Sequence, residues 1–216
     1  MAKTMTPSES VMTAGQIGKV QELFGAGLRK ANLPNAPVQQ VLEHQGESLV
    51  VALVAVVRKI VEAACDMIVR TVSVIRTRTP QEAIKATGRA QYVSDEVVAA
   101  MPRGKGETAE TVFFKLDLSE RGGYINDADL DKEYELRGLV PEDPYSLSAQ
   151  NEADPAFADD HPNATHWKDS SGKWCYIAFD RWRVGGRCVC VGRYGCGWRG
   201  YWWFAGSRKY QKPLDS

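Results

Sequence analysis

Two stretches of this 216-residue chain gather side chains suited to chemistry. The first, DDHPNATHWKD, brings Asp159, Asp160, His161, His166 and Asp169 together. Imidazoles beside carboxylates can hold a divalent cation or pass a proton. Their spacing matches no established ligand or catalytic motif. The stretch is therefore a candidate for a metal-dependent or acid–base enzyme on composition alone. The second stretch, RWRVGGRCVCVGRYGCGWRGYWWFAG, carries Arg181, Trp182, Arg183, Arg187, Trp198, Arg199 and Trp203. Guanidiniums around aromatic faces make a surface on which unpaired bases stack. Single-stranded nucleic acid is the first ligand expected there, and a carbohydrate on the same tryptophans is the alternative.

Three of the five cysteines also fall in the second stretch. If Gly185-Gly186 forms a two-residue hairpin turn, Trp182 faces Val189, Arg181 faces Cys190 and Cys175 faces Cys196. Cys188 and Cys196 are then roughly 26 Å apart along one strand, at ~3.3 Å per residue. Zinc needs its sulfurs within ~2.3 Å of one point, so no metal site and no cofactor is expected. Cys175 and Cys196 sit at a spacing that suits a disulfide, but a reducing compartment opposes one. In this register Trp182, Val189, Val191, Trp202 and Phe204 share one face, and Phe179, Cys188, Cys190 and Trp203 share the other. Two apolar faces require a sheet covered on both sides, or one face presented to a ligand.

Other motif readings fail on spacing. NDADLDKEYELRG alternates Asp127, Asp129 and Asp131, but a calcium loop needs glycine at its sixth position and glutamate at its twelfth. Lys132 and Gly138 stand there, so the stretch reads as a helix start with acids in its first turn. MPRGKGET lacks the spacing of a phosphate loop and reads as a flexible turn.

Charge is balanced overall, with 27 basic and 27 acidic side chains. It is unevenly distributed: residues 107–160 carry fifteen acids against four bases, and residues 165–216 carry ten bases against three acids. Neighbouring segments of opposite sign can pair within one fold without a second molecule. The opening MAKTMTPSES lacks the apolar core of a signal peptide. LVVALVAVV, residues 49–57, stops at Arg58, well short of the ~20 residues that span a bilayer. It reads as a helix buried in protein, and the chain as cytoplasmic with no membrane partner.

The elements that must position these residues follow from periodicity and punctuation. Residues 1–12 form a tail. Residues 13–67 are helical: one helix from Thr13, a break at NLPNAP, a short helix VQQVLEHQ closed near Gly46, and a long helix to about Asp66. Residues 68–164 are mixed. Strands are expected at Ile68–Thr77 and TVFFKLDL. Thr79, Pro80 and Glu82 make a capping box that opens a helix ended by Gly88, and Ser94 caps another. Residues 165–216 read as an antiparallel four-stranded meander. The fold class is α+β: N-terminal helices packed on a mixed region that runs into the C-terminal meander.

HWKDSSGKWCYIAFD, from His166 to Asp180, resembles one hairpin repeat of the choline-binding, cell-wall-binding modules. That resemblance covers a single hairpin, whereas the family builds its pockets between tandem repeats. RTRTPQEAIKATGRAQY, KEYELRGLVPEDPYSLSAQNEADPAFADDHPNATHWKD and RGYWWFAGSRK are similar to a group of bacterial proteins from uncultivated, small-genome lineages. This likeness covers most of residues 47–209 and implies no activity or site. The expected function is a non-enzymatic binding or interaction protein, with nucleic acid or another protein as partner.

Overall fold

The computed structural model describes residues 12–63, 67–182, 185–193 and 197–209. Arg183, Cys196 and the N-terminal tail lie outside them. The chain divides into two compact units, Met1–Cys65 and Asp66–Ser216.

The first unit is two helices. Helix α1 (Ala14–Ala31) opens on a Thr13 capping box with Gln16 and closes on Asn32, at φ 49°. Helix α2 (Asn35–Ala63) has one non-helical residue, Gln45, at φ −134° and ψ 15°. This is where the break before Gly46 is expected. The apolar run, however, is not enclosed. Val50, Val51, Val54 and Val56 are 59%, 65%, 52% and 56% exposed, and no residue of α1 is buried. The expectation of a buried helix is corrected: among the described residues, these apolar side chains are exposed. By length and composition, Asn35–Arg58 is apolar enough to cross a membrane.

The second unit is α+β and built on one large sheet. In chain order its elements are β1 (Met67–Ser73), α3 (Pro80–Ala86), β2 (Ala90–Val93), α4 (Asp95–Ala99), β3 (Thr108–Lys115), β4 (Tyr124–Ile125) and α5 (Asp127–Leu136). There follow β5 (Leu139–Pro141), α6 (Pro144–Ala153), α7 (Phe157–Asp160), β6 (Asn163–Lys168), β7 (Trp174–Trp182), β8 (Gly186–Gly192), β9 (Trp198–Arg199) and β10 (Trp203–Arg208). The sheet runs β1-β3-β10-β6-β7-β8-β2, with β5 also on β10, and β4 pairs with β9 in a separate ribbon. The Thr79 capping box is present and Pro80 occupies the first turn of α3. Asn126 caps α5.

Both faces of the sheet are covered, each by its own core. On one, Phe113, Ile177, Phe179, Val189, Val191 and Trp203 pack with buried side chains of α3, α4, α6 and α7. On the other, Val112, Phe114, Ala164, Ala178 and Phe204 pack with Leu130 and Tyr134 of α5 and with Trp198.

Two details of the C-terminal reading change. Strands β6, β7 and β8 form the expected antiparallel run, but the fourth strand does not continue it. Strand β10 returns to the far side of β6, parallel to it and antiparallel to β3. The turn is also longer than two residues, because Trp182 pairs with Gly186 and Phe179 with Val189. The register is shifted by three, and an odd shift moves every side chain of β8 to the other face. Val189 and Val191 therefore join Ile177 and Phe179, while Cys188 and Cys190 join Ala178. Cys175 pairs with Trp167.

Candidate functional site

The second stretch does not assemble into a basic aromatic platform. Trp198 and Trp203 are core residues, 1% and 7% exposed. Trp198 donates from Nε1 to Asp127, at 2.8 Å. Trp182 is exposed and lies against Tyr92 of β2, with ring centroids 4.5 Å apart. Arg181 and Arg187, adjacent in register to Trp182, project from the opposite face of the sheet. Both reach Asp159 on α7, at 3.2 and 2.8 Å. The Arg187 guanidinium and its neighbours hold the Asp159 carboxyl below the usual carboxylate range. Arg193 likewise closes on Asp169 at 2.6 Å and on Glu96 at 2.9 Å. Between the acidic and basic segments, Asp159 meets Arg181 and Arg187, and Glu110 meets Arg208, whereas Arg193 pairs within its own segment and with Glu96 outside both. Arg199 is exposed on the β4–β9 ribbon.

The cysteines are small apolar side chains here. Burial pushes the Cys190 thiol up to about 12, with Cys188 beside it contributing, and burial raises Cys175 and Cys188 too. Such thiols are poor nucleophiles and poor ligands at neutral pH.

The Asp159–Asp169 cluster is dispersed. Asp159 serves the arginines and Asp160 ends α7. His161 stacks on Phe157 and meets Trp203 edge-on. Asp169 accepts from the Ser171 and Lys173 amides and organises the β6–β7 turn. His166 points to the other face, where its Nδ1 is 2.8 Å from Asp127 and its Nε2 3.0 Å from Asp131. Its ring lies between Tyr134 and Trp174. Burial works against a charged ring, but the two carboxylates more than offset it, and the imidazole pKa is raised. Among the described residues, no three His, Cys, Asp or Glu side chains converge to hold a metal ion.

A site that the sequence reading passed over lies on the α6 face. Glu142 follows β5 and is 5% exposed. Its Oε2 accepts from the Thr111 hydroxyl at 2.9 Å and its Oε1 from the Asp143 amide at 3.0 Å. Both partners are neutral. Burial therefore dominates, and the carboxyl is raised to about 7. The guanidinium nearby is committed elsewhere. Arg76 pairs with Asp143 at 2.5 Å, donates to the Ser146 hydroxyl at 2.8 Å, and donates to the carbonyls of Arg103, Lys105 and Gly106. It thus fastens the 103–106 loop. Gly104, at φ 67°, lets that loop lie directly on Asp143 and Arg76. These groups border a cleft of about 490 Å³, whose walls include Lys105, Thr108, Ser207 and an Arg208–Glu110 pair.

No known protein family, curated protein or solved structure matches this chain. Only the run LVPEDP marked the Glu142 site in the sequence, with Asp143 and Pro144 as helix cap and first-turn residue. The side-chain hydrogen-bond partner of Glu142, Thr111, is 31 residues away.

Proposed function

We propose that this is a non-enzymatic binding protein and that its ligand site is the Glu142 cleft. The ligand class is a small solute bearing one carboxylate and one hydrogen-bond donor, such as an amino acid or a hydroxy acid. The observation that carries this reading is a buried carboxyl, raised to about 7, on a cleft whose Lys105 forms no ion pair among the described residues. Lys105 suits the ligand's carboxylate, and Glu142 suits its hydroxyl or ammonium group. The neighbouring hydroxyl, Ser146, is fully buried and held by Asp143 and Arg76, which supports binding over covalent chemistry. The test is a thermal-shift screen of amino acids and hydroxy acids at pH 6 and pH 8. A hit that is lost in both Lys105→Ala and Glu142→Gln supports the reading. A folded protein that binds no member of either class at millimolar concentration overturns it.

The exposed Tyr92–Trp182 pair favours a second reading, a planar ligand stacked at the sheet edge. Single-stranded nucleic acid is the candidate for that edge. The committed state of Arg181 and Arg187 weighs against it.

A further inference from the structure

We propose that α2 is a self-association surface that pairs antiparallel with α2 of a second copy of this chain. After Gln45 the helix carries two adjacent apolar stripes. Leu49, Leu53, Val56 and Ile60 form one, and Val50, Val54, Val57 and Val61 the other, each at alternating spacings of three and four. That spacing is the seam of a helix–helix interface. On the remaining side, Ser48, Ala52 and Ala55 are small or polar, and Val51 is the one large apolar side chain among residues 48–57 there.

The exposed area suits a reversible association with a second copy. Val50, Val54, Val56, Ile60 and Val61 of the two stripes are each between 52% and 65% exposed. At roughly 100 Å² for a fully exposed aliphatic side chain, they offer on the order of 280 Å². The stripe Ile17, Val20, Leu23, Phe24 and Leu28 of α1, also exposed, offers roughly 230 Å² by the same measure. Together these are about 500 Å², below the ~800 Å² per partner of a standard interface and in the range of a weak, concentration-dependent one.

Charge fixes the direction. The apolar run of α2 has Glu43 and Glu47 before it and Arg58 after it. An antiparallel pair with its twofold axis between Ala52 and Leu53 sets Glu47 of one copy against Arg58 of the other, twice. A parallel pair would set like charges together. The antiparallel arrangement also opposes the two helix dipoles. A bilayer fits less well. Asn35–Arg58 is long and apolar enough by composition to cross one, but Glu43 and Glu47 interrupt that stretch, and the run between Glu47 and Arg58 spans only about 15 Å at 1.5 Å per residue.

The full-length protein should run as a dimer in light scattering at micromolar concentration. Val54→Asp, at an exposed position, should give a folded monomer. Arg58→Glu should weaken dimerisation about tenfold at low salt, and adding Glu47→Arg in the same chain should restore it. A monomeric wild-type protein overturns the proposal, as does a trimer or tetramer. A dimer indifferent to Arg58→Glu overturns the antiparallel register. A monomer that sediments with phospholipid vesicles assigns the face to a lipid surface instead.

Discussion

His166 and Glu142 are both buried titratable groups on one sheet, on opposite faces, and they are treated differently. His166 meets two carboxylates from one face of α5, and its charge is matched. Glu142 meets a hydroxyl and an amide and carries its proton near neutral pH. The difference lies in the charge of the hydrogen-bond partners, carboxylates for His166 and neutral groups for Glu142, since burial opposes the charged form of either group. A matched buried pair holds structure together, whereas an unmatched buried carboxyl is costly to ionise and stays responsive to solvent and ligand.

The largest expected effect lies on the His166 side. His166→Ala removes a buried ring and leaves Asp127 without its cationic partner. It should cost about 3–5 kcal/mol in denaturant unfolding at pH 6. A loss under about 1 kcal/mol would mean that Asp127 is satisfied by Trp198 alone, and the contrast would fail. The raised imidazole pKa adds a pH signature. The stabilisation is complete below the unfolded value near 6.5, and it fades as pH rises through the folded value.

Glu142 should give the next largest effect, in an adjoining window. Its folded pKa is about 7, against the ordinary 4.5 of a glutamate. Between these values the folded state binds more protons than the unfolded state, so stability falls as pH rises from 4.5 to 7. The full difference is on the order of 3 kcal/mol, at about 1.4 kcal/mol per pKa unit. Glu142→Gln should flatten the slope between pH 5 and 7 and leave the higher-pH fall to His166. An unchanged slope below pH 7 would show that Glu142 ionises freely.

Gly104→Ala probes the floor of the same cleft. Its left-handed backbone disfavours a side chain, and the added Cβ would press on Asp143 and Arg76. We expect a cost of about 1–2 kcal/mol together with loss of ligand binding. Gly88, also left-handed but in open space, supplies the control, with a smaller cost and binding intact.

How far these sites could be read from sequence depends on the range of the interactions that make them. The Thr79 capping box and the Asn126-capped α5 are local, and they stand where their residues place them. Helix α6 escaped notice because Pro144–Asn151 is buried on every side, so no amphipathic period marks it. Strand β2 is four residues on a parallel edge, with a partner almost a hundred residues away. The β7–β8 register turned on a loop one residue longer than a two-residue turn, and that exchanged the faces of Cys188 and Val189. The acids around His166 were legible in part. Asp127 and Asp131, four apart, share a helix face, yet nothing local names the histidine they meet.

The smallest expected effect on stability belongs to the exposed edge, and it decides between the two ligand readings. Trp182 packs on Tyr92 but is 42% exposed, so Trp182→Ala should cost only about 1 kcal/mol, far less than a buried tryptophan such as Trp198, at about 3–5. If single-stranded nucleic acid stacks there, the same substitution should remove about 1–3 kcal/mol of binding with little change in salt dependence. Arg181→Ala and Arg187→Ala should not flatten that dependence, because their guanidiniums are held by Asp159 on the opposite face. A fluorescence titration with a random oligonucleotide at low salt tests this directly. Binding whose salt slope falls with Arg181 and Arg187 would mean that Asp159 releases them to phosphate, and the basic tail would regain its partner. Absence of binding at high micromolar concentration, with Trp182→Ala still folded, leaves the edge pair as packing and the Glu142 cleft as the ligand site.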